Sequence, residues 1–216
     1  MLYKLIIKAV GVVAVVVAVM FTGCDGNSGV DPDNPNNPNN PNNGGGGNYT
    51  YTGRTARIGS QTWMAENLNR ATTNSKCYEN SADSCAKYGR LYLWDDAKNA
   101  CPSGWHLPSD DEWTMLTDYV GGESTAGGKL RSTSGWYSQD YFDGNGTDDY
   151  GFSALPGGVG DSVGSFGSSS IFGYWWSATE VDANWALDRY MHFNGDNAYR
   201  GVNRKTSLFS VRCVQN

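Results

Sequence analysis

The chain has 216 residues, with 22 acidic against 16 basic side chains and a formal net charge of −6. An acidic chain offers no electrostatic footprint to a phosphate backbone, which excludes nucleic acid as a partner. The same charge is repelled by an anionic membrane surface, so membrane attachment needs a lipid.

Met1–Lys8 carries Lys4 and Lys8 and no acid, and Ala9–Phe21 is almost entirely Ala, Val, Met and Phe. A basic start followed by a short apolar run is a secretory signal. The run is shorter than the ~20 residues of a spanning helix. Phe21-Thr22-Gly23-Cys24 follows and resembles a bacterial lipobox. That resemblance implies a signal peptide over residues 1–23, cleavage before Cys24 and lipid on Cys24. The alternatives are an ordinary signal peptide or an uncleaved anchor helix. The expected location is the cell envelope, at the outer membrane or cell surface.

Residues 24–48 then form a tether. Prolines recur at 32, 35, 38 and 41, and glycines fill 44–47. The prolines favour extended chain and the glycines add a flexible joint, and residues 31–48 have nothing apolar to bury. Residues 49–216 hold all eight tryptophans and have the size of one domain. Abundant glycine and scarce helical periodicity point to a loop-rich α+β domain with two short helices and small antiparallel sheets.

Thr55–Ile58 and Gln61–Met64 flank Gly59-Ser60, a hairpin signal. Arg90–Leu93 alternates as a short strand. Trp94, Ala97 and Cys101 share one face of a predicted helix over 94–100, which Pro102 and Gly104 end. Ser109-Asp110-Asp111-Glu112 is a capping box, and Trp113, Leu116 and Val120 continue a helical stripe to the stop at Gly121-Gly122. The three acids therefore cap a helix and complement its dipole. Residues 123–178 read as long loops with short strands. Tyr190–Phe193 and Phe209–Val214 read as strands.

Cys77, Cys85, Cys101 and Cys213 make an even set in an exported chain, which suggests two disulfides among three possible pairings.

The pattern Trp94, Ala97, Cys101, Gly104, Leu107, Ser109, Glu112 resembles the two-helix region of C-type lectin-like domains. The resemblance implies that Cys101 pairs with Cys213, leaving Cys77 to Cys85, and that the first and last strands lie side by side. Six ordered blocks are similar to the Fibrobacter succinogenes major paralogous domain: I-G-S-Q-T-W-M-A-E-N-L-N (58–69), Y-G-R-L-Y-L-W (88–94), C-P-S-G-W-H-L-P-S-D-D-E-W (101–113), Y-G-F-S-A-L-P-G-G (150–158), Y-W-W-S-A-T-E (174–180) and S-V-R-C-V (210–214). That family occurs in exported, often lipid-anchored bacterial proteins and implies no established activity. The Glu-Pro-Asn and Trp-Asn-Asp sugar motifs of calcium-dependent lectins are missing. The ending also resembles that of formylglycine-generating enzymes, whose site needs a pair of cysteines.

Candidate ligand-binding side chains are Trp136, Tyr137 and Tyr141 in the Gly/Ser-rich stretch, and Tyr174, Trp175 and Trp176. Exposed rings of this kind stack on sugars, and buried ones are core. Asp143, Asn145, Thr147 and Asp149 place oxygens at alternate positions, the ligand type of a structural calcium ion. The EF-hand pattern fails at Asp148 and Ala154, and the plain alternative is a solvated turn. His106 sits inside the scaffold motif and His192 in a strand. Glu66 and Glu180 fall in family blocks and are candidates for bonding backbone. No residue is nominated as catalytic. The expectation is a non-catalytic binding or adhesion domain for polysaccharide, cell-wall material or another protein. The alternatives are an exported enzyme on a lectin-like scaffold and a structural envelope protein.

Overall fold

The computed structural model describes residues 49–216. The expected signal peptide, lipidated Cys24 and tether lie outside the described residues.

The chain opens on the expected hairpin, β1 (Thr55–Ile58) and β2 (Gln61–Met64), paired from Ile58↔Gln61 to Thr55↔Met64. Gly59 makes the turn at φ +61, a conformation in which a side chain is strained. A 3-10 turn at Tyr78–Asn80 leads into α1 (Ala82–Tyr88), and the Cys77–Cys85 disulfide closes this segment. β3 (Leu91–Tyr92) and α2 (Trp94–Ala97) follow, the helix being four residues, shorter than its apolar spacing suggests. β4 (Trp105–His106) precedes α3 (Asp110–Tyr119), whose capping box is complete: Ser109 Oγ accepts from the Glu112 amide, and Glu112 Oε2 accepts from the Ser109 amide.

Beyond Gly122 the structure departs from the loop expectation. α4 (Glu123–Leu130) forms despite Gly127 and Gly128, each costing a helix about 1 kcal/mol relative to Ala. Proximity explains them: a Cβ on Gly127 would meet the Asn197 carbonyl oxygen at 2.3 Å. A small hairpin, β5 (Ser138–Gln139) with β6 (Phe142–Asp143), stands apart from the other sheets. Next come β7 (Val159–Asp161), β8 (Phe166–Gly167) and three long strands: β9 (Phe172–Glu180), β10 (Trp185–His192) and β11 (Ala198–Arg204). The expected terminal strand is two, β12 (Ser207–Ser210) and β13 (Val214–Gln215). The break lets Arg212 and Cys213 turn inward as the chain passes from one sheet to another.

Four strands order as β1-β2-β13-β4, so the first hairpin and the last strand are neighbours. Seven make the larger sheet, β11-β10-β9-β12-β7-β8 with β3 on β12. The second disulfide is Cys101–Cys213. The domain is thus mixed α+β with four helices, where the sequence suggested two.

Trp175 and Trp176 are consecutive on β9 and point to opposite faces, as strand geometry requires. Each enters a different core. Trp175 joins Trp63, Trp113 and Phe152 beneath α3 and α4, and Trp176 joins Trp94, Leu68 and Phe209 beside α2.

Candidate binding face

The family blocks meet at one buried polar hub. Asn67 Nδ2 donates to the Tyr88 carbonyl at 2.9 Å and to Ser210 Oγ at 3.3 Å. Its Oδ1 accepts from Trp175 Nε1 at 2.9 Å and from Arg212 Nη2 at 2.7 Å. Arg212 is fully buried and also donates to the carbonyls of Met64, Phe152 and Ser153. Burial pulls its pKa down to about 9, with Tyr51, Asp148 and Glu66 acting in the other direction, so it stays charged at neutral pH. Five of the six sequence blocks donate or accept here. The sixth is fastened by Cys101–Cys213 and by the Trp113 Nε1 bond to the Trp176 carbonyl. The motifs therefore build a scaffold.

A second buried tie fixes α3 to the sheet. Asp110 accepts from Arg189 Nη2 and from Arg200 Nε, each at 2.8 Å. This gives one of the three capping acids a tertiary partner as well as a helix end to neutralise.

Both histidines serve the scaffold. His106 Nε2 lies 2.7 Å from Glu112 Oε1, and its Nδ1 lies 2.7 Å from Asn216 Oδ1. Burial raises the Glu112 pKa, but the Ser109 amide and the His106 ring outweigh this and hold it below the ordinary range. His192 Nδ1 meets Asn194 Oδ1, and its ring packs on Phe172 at 4.2 Å. Glu66 and Glu180 pair with cations and not with backbone: Glu66 with Arg54 at 3.0 Å, Glu180 with Lys205.

The sequence-nominated aromatics divide. Trp136, Trp175 and Trp176 are core, which corrects their nomination as ligand-binding. The loop around Trp136 is folded over it: its Nε1 donates to the Ala154 carbonyl and Arg131 lies across its ring. Tyr137 and Tyr174 are joined by a run of ring contacts, and Tyr141 stands clear of the other rings. Tyr141 is fully exposed at the β5–β6 turn. Tyr137 and Phe142 set their edges on Phe193, at 5.2 and 5.4 Å. Phe193 contacts His192 at 4.5 Å, and His192 leads through Phe172 to Tyr174.

From Tyr174 a ladder of rings crosses the sheet. Phe209, Tyr174, Tyr190 and Tyr199 sit on four adjacent strands, with centroids 4.8, 5.5 and 4.9 Å apart and planes 14 to 30° from parallel. These separations match the distance between strands. Rings lying flat side by side cannot approach so closely, so the rings stand upright with faces stacked and edges outward. Tyr174, Tyr190 and Tyr199 are half-buried, and Phe209 is buried at the inner end. Burial, then Asp188 and Tyr190, push the Tyr174 pKa up to about 12, and burial raises that of Tyr190. Their hydroxyls therefore keep their protons at neutral pH and act as both donors and acceptors.

Asp188 is on the same face of β10 as Tyr190, two residues along the strand from the ladder, and is fully buried. Its Oδ1 accepts from Asn203 Nδ2 at 2.9 Å, and its Oδ2 has no partner among the described residues. Gly201 makes the space, since a Cβ there would lie 2.7 Å from Oδ2. Burial lifts the Asp188 pKa to about 6, with Asn203 and Arg189 opposing.

The nominated calcium ligands do not converge. Asp143 Oδ1 accepts from Ser138 Oγ at 2.9 Å, from the Asn145 amide at 2.9 Å and from Asn145 Nδ2 at 2.7 Å. Asn145 Oδ1 accepts from the Trp136 amide at 3.1 Å, and Thr147 Oγ1 faces the Gly128 carbonyl at 3.4 Å. Asp149 is exposed. The segment closes with its own hydrogen bonds as the turn beneath the β5–β6 hairpin. No group of three or more His, Cys, Asp or Glu side chains is placed to hold a metal among the described residues.

Tyr190, Tyr199, Phe172 and Asp188 were not nominated from sequence. The available signal was aromatic residues two apart, Phe172 with Tyr174 and Tyr190 with His192, which share one face of a strand.

The chain matches no curated protein and no solved structure. Residues 56–215 match the model of the Fibrobacter succinogenes major domain, which spans both disulfides, the hub and the aromatic face. The chain belongs to the Fibrobacter succinogenes major domain family.

Proposed function

We propose that the protein is exported, lipid-anchored through Cys24 and displays a non-catalytic binding domain of C-type lectin-like fold over residues 49–216. Its ligand is polysaccharide of the cell wall or its surroundings. The observation that carries the reading is the continuous aromatic face from the β5–β6 hairpin to Tyr199. Three tyrosine hydroxyls on adjacent strands offer donors and acceptors at regular spacing. Open ring faces lie at its ends, on Tyr141 and on Tyr199 of the edge strand β11. Such a surface suits a ligand with many hydroxyls and apolar C–H faces.

The lectin-like fold is supported by the Cys101–Cys213 bond and by the pairing of β2 with β13. A fold alone assigns no ligand. Binding is favoured over catalysis because both histidines are held by scaffold contacts. Cys213 is in a disulfide, so the paired-thiol chemistry of the formylglycine-generating enzymes lacks its thiol. The proline-spaced tether would hold the face away from the bilayer.

Retention of the purified protein on insoluble plant and bacterial polysaccharides tests this. Wild-type protein is expected to be retained on at least one polymer, and Tyr141→Ala to lose most of that retention. No retention on any polymer, or full retention of the variant, contradicts the reading.

A further inference from the structure

The two disulfides sit in different surroundings. Arg90 lies between α1 and β3, and its guanidinium is set against the shorter bridge. Its Nη1 lies 3.6 Å from Cys77 Sγ and 3.7 Å from Cys85 Sγ. Its Nε donates to Ser75 Oγ at 2.9 Å and its Nη2 to the Ser75 carbonyl at 3.0 Å, which fixes the group in that position. No carboxylate pairs with Arg90 among the described residues. Its charge is thus directed at two sulfurs, which are weak acceptors while they are bonded to each other. A thiolate in the same place would accept a charge-assisted hydrogen bond.

Cys101–Cys213 has no such neighbour. Cys213 is fully buried in the apolar cluster with Trp94, Leu107 and Phe209, and no side chain donates to either sulfur among the described residues. A cation beside a cysteine lowers its pKa, and apolar burial raises it. The reduced form is therefore stabilised at the short bridge and penalised at the long one. A stabilised reduced form makes a disulfide the stronger oxidant.

The turn inside the short loop acts in the same direction. Glu79 and Asn80 are both left-handed, at φ 52 and 55, a conformation that is costly for a residue with a Cβ. Opening the bridge lets this turn relax. Its flanks keep other ties: the Lys76 and Leu91 amides each donate to the other's carbonyl, at 2.9 and 2.8 Å, and the Tyr78 ring rests on Phe166 at 5.5 Å. The bond is also within reach of a reductant. Cys77 is half-buried, and Cys85 lines a cleft of about 270 Å³ with Asn69, Lys87 and Leu155.

We infer that Cys77–Cys85 is a site of thiol–disulfide exchange with a dithiol, a bridge that opens and closes while Cys101–Cys213 stays shut. One thiolate of the dithiol attacks Cys77 Sγ, the S–S bond breaks, and Cys85 leaves as a thiolate beside Arg90. The second sulfur of the dithiol then displaces Cys77 from the mixed disulfide. Two electrons and the dithiol's two protons pass to the protein, which holds two thiols, and the dithiol becomes a disulfide. The reverse sequence closes the bridge. The inference does not depend on the polysaccharide reading.

Equilibration of the full chain in graded ratios of reduced and oxidised dithiothreitol tests it, with free thiols trapped by an alkylating agent and each cysteine followed by mass spectrometry. Cys77 and Cys85 are expected to be labelled together at a less reducing ratio than Cys101 and Cys213, with the circular dichroism of the domain unchanged between the two transitions. Arg90→Gln is expected to move the Cys77–Cys85 midpoint about tenfold toward the reducing side, about 30 mV for a two-electron couple. Arg90→Lys keeps the charge without the planar fork and is expected to fall between Arg90→Gln and wild type. A guanidinium that only clamped Ser75 would give the opposite sign, because a loosened segment makes the bridge easier to open. Opening of both bridges together, prior opening of Cys101–Cys213, or an Arg90→Gln midpoint that is unchanged or less reducing would overturn the inference.

Discussion

The hub around Asn67 and Arg212 and the aromatic ladder around Tyr190 meet at β9, where Trp175 serves the first and Tyr174 the second, and they answer to different demands. In the hub every polar group points at another buried polar group. Arg212 spends its donors on three carbonyls and one amide oxygen, and Asn67 spends its amide on four partners. Nothing is left to offer a ligand. In the ladder the rings bond to each other through their faces and leave their hydroxyl edges outward, with an unsatisfied carboxylate oxygen beside them. The contrast separates what holds this domain together from what it presents. Motif density marks the first and not the second.

The comparison breaks first where the hub is fastened. Cys101 and Cys213 are 112 residues apart and Cys77 and Cys85 are 8 apart. On chain-entropy grounds the long bridge contributes about 5 kcal/mol and the short one about 2.5 kcal/mol. Replacing Cys101 and Cys213 by Ala should therefore lower unfolding stability in denaturant titration about twice as much as replacing Cys77 and Cys85. Equal losses would mean that the long bridge adds strain where the account has it adding order.

Arg212→Met comes next. It removes the donor shared by Asn67 Oδ1 and three carbonyls while keeping much of the volume. Stranding several buried acceptors at once should cost about 4 kcal/mol. That corresponds to a fall of roughly 8–16 °C in thermal midpoint for a domain of this size. A loss under about 1 kcal/mol would show that the hub is decoration.

Asp188 sharpens the comparison through pH. Its folded pKa, about 6, lies above the ordinary carboxylate value of 3.8. The neutral form is therefore the one the fold prefers. Its contribution to stability is fully present below about pH 4 and is lost as pH rises through 6. Asp188→Asn removes that loss and should be more stable than wild type by about 1–3 kcal/mol at pH 7, with little difference at pH 4. Midpoints measured at both pH values check this. A destabilised variant at pH 7 would mean that the carboxylate has a partner the account lacks.

The smallest stability effect belongs to the exposed end of the face. Tyr141→Ala removes a fully exposed ring and should change stability by less than about 0.5 kcal/mol, while polymer retention falls. A chelator should leave the thermal midpoint unmoved, because the oxygens of the 143–149 segment already serve its own turn.

The hairpin at 55–64 and the capping box at 109–112 could be read from the sequence because each is a local device with a fixed spacing. The disulfide pairing followed from family resemblance, where cysteine spacing alone left three choices. α4 was hidden by Gly127 and Gly128, whose reason is a contact with Asn197 far along the chain. β9 was hidden because both its faces bear aromatics. Phe172, Tyr174, Trp175 and Trp176 show no clean alternation when one side packs under α3 and the other builds the ladder. Trp136 looked exposed because its neighbours are Gly and Ser, and only the fold brings Arg131 and Ala154 over it. The aromatic ladder depends on rings from four strands, and no local pattern announces such an assembly.

The most direct measurement sets Tyr190→Ser beside wild type on the polymer that retains wild type best, at a temperature below both unfolding transitions. Tyr190 is the central half-buried rung, and its loss splits the ladder without touching the hub. The account predicts retention close to background for Tyr190→Ser with the fold intact by circular dichroism. Retention equal to wild type would contradict it and place the ligand elsewhere on the domain.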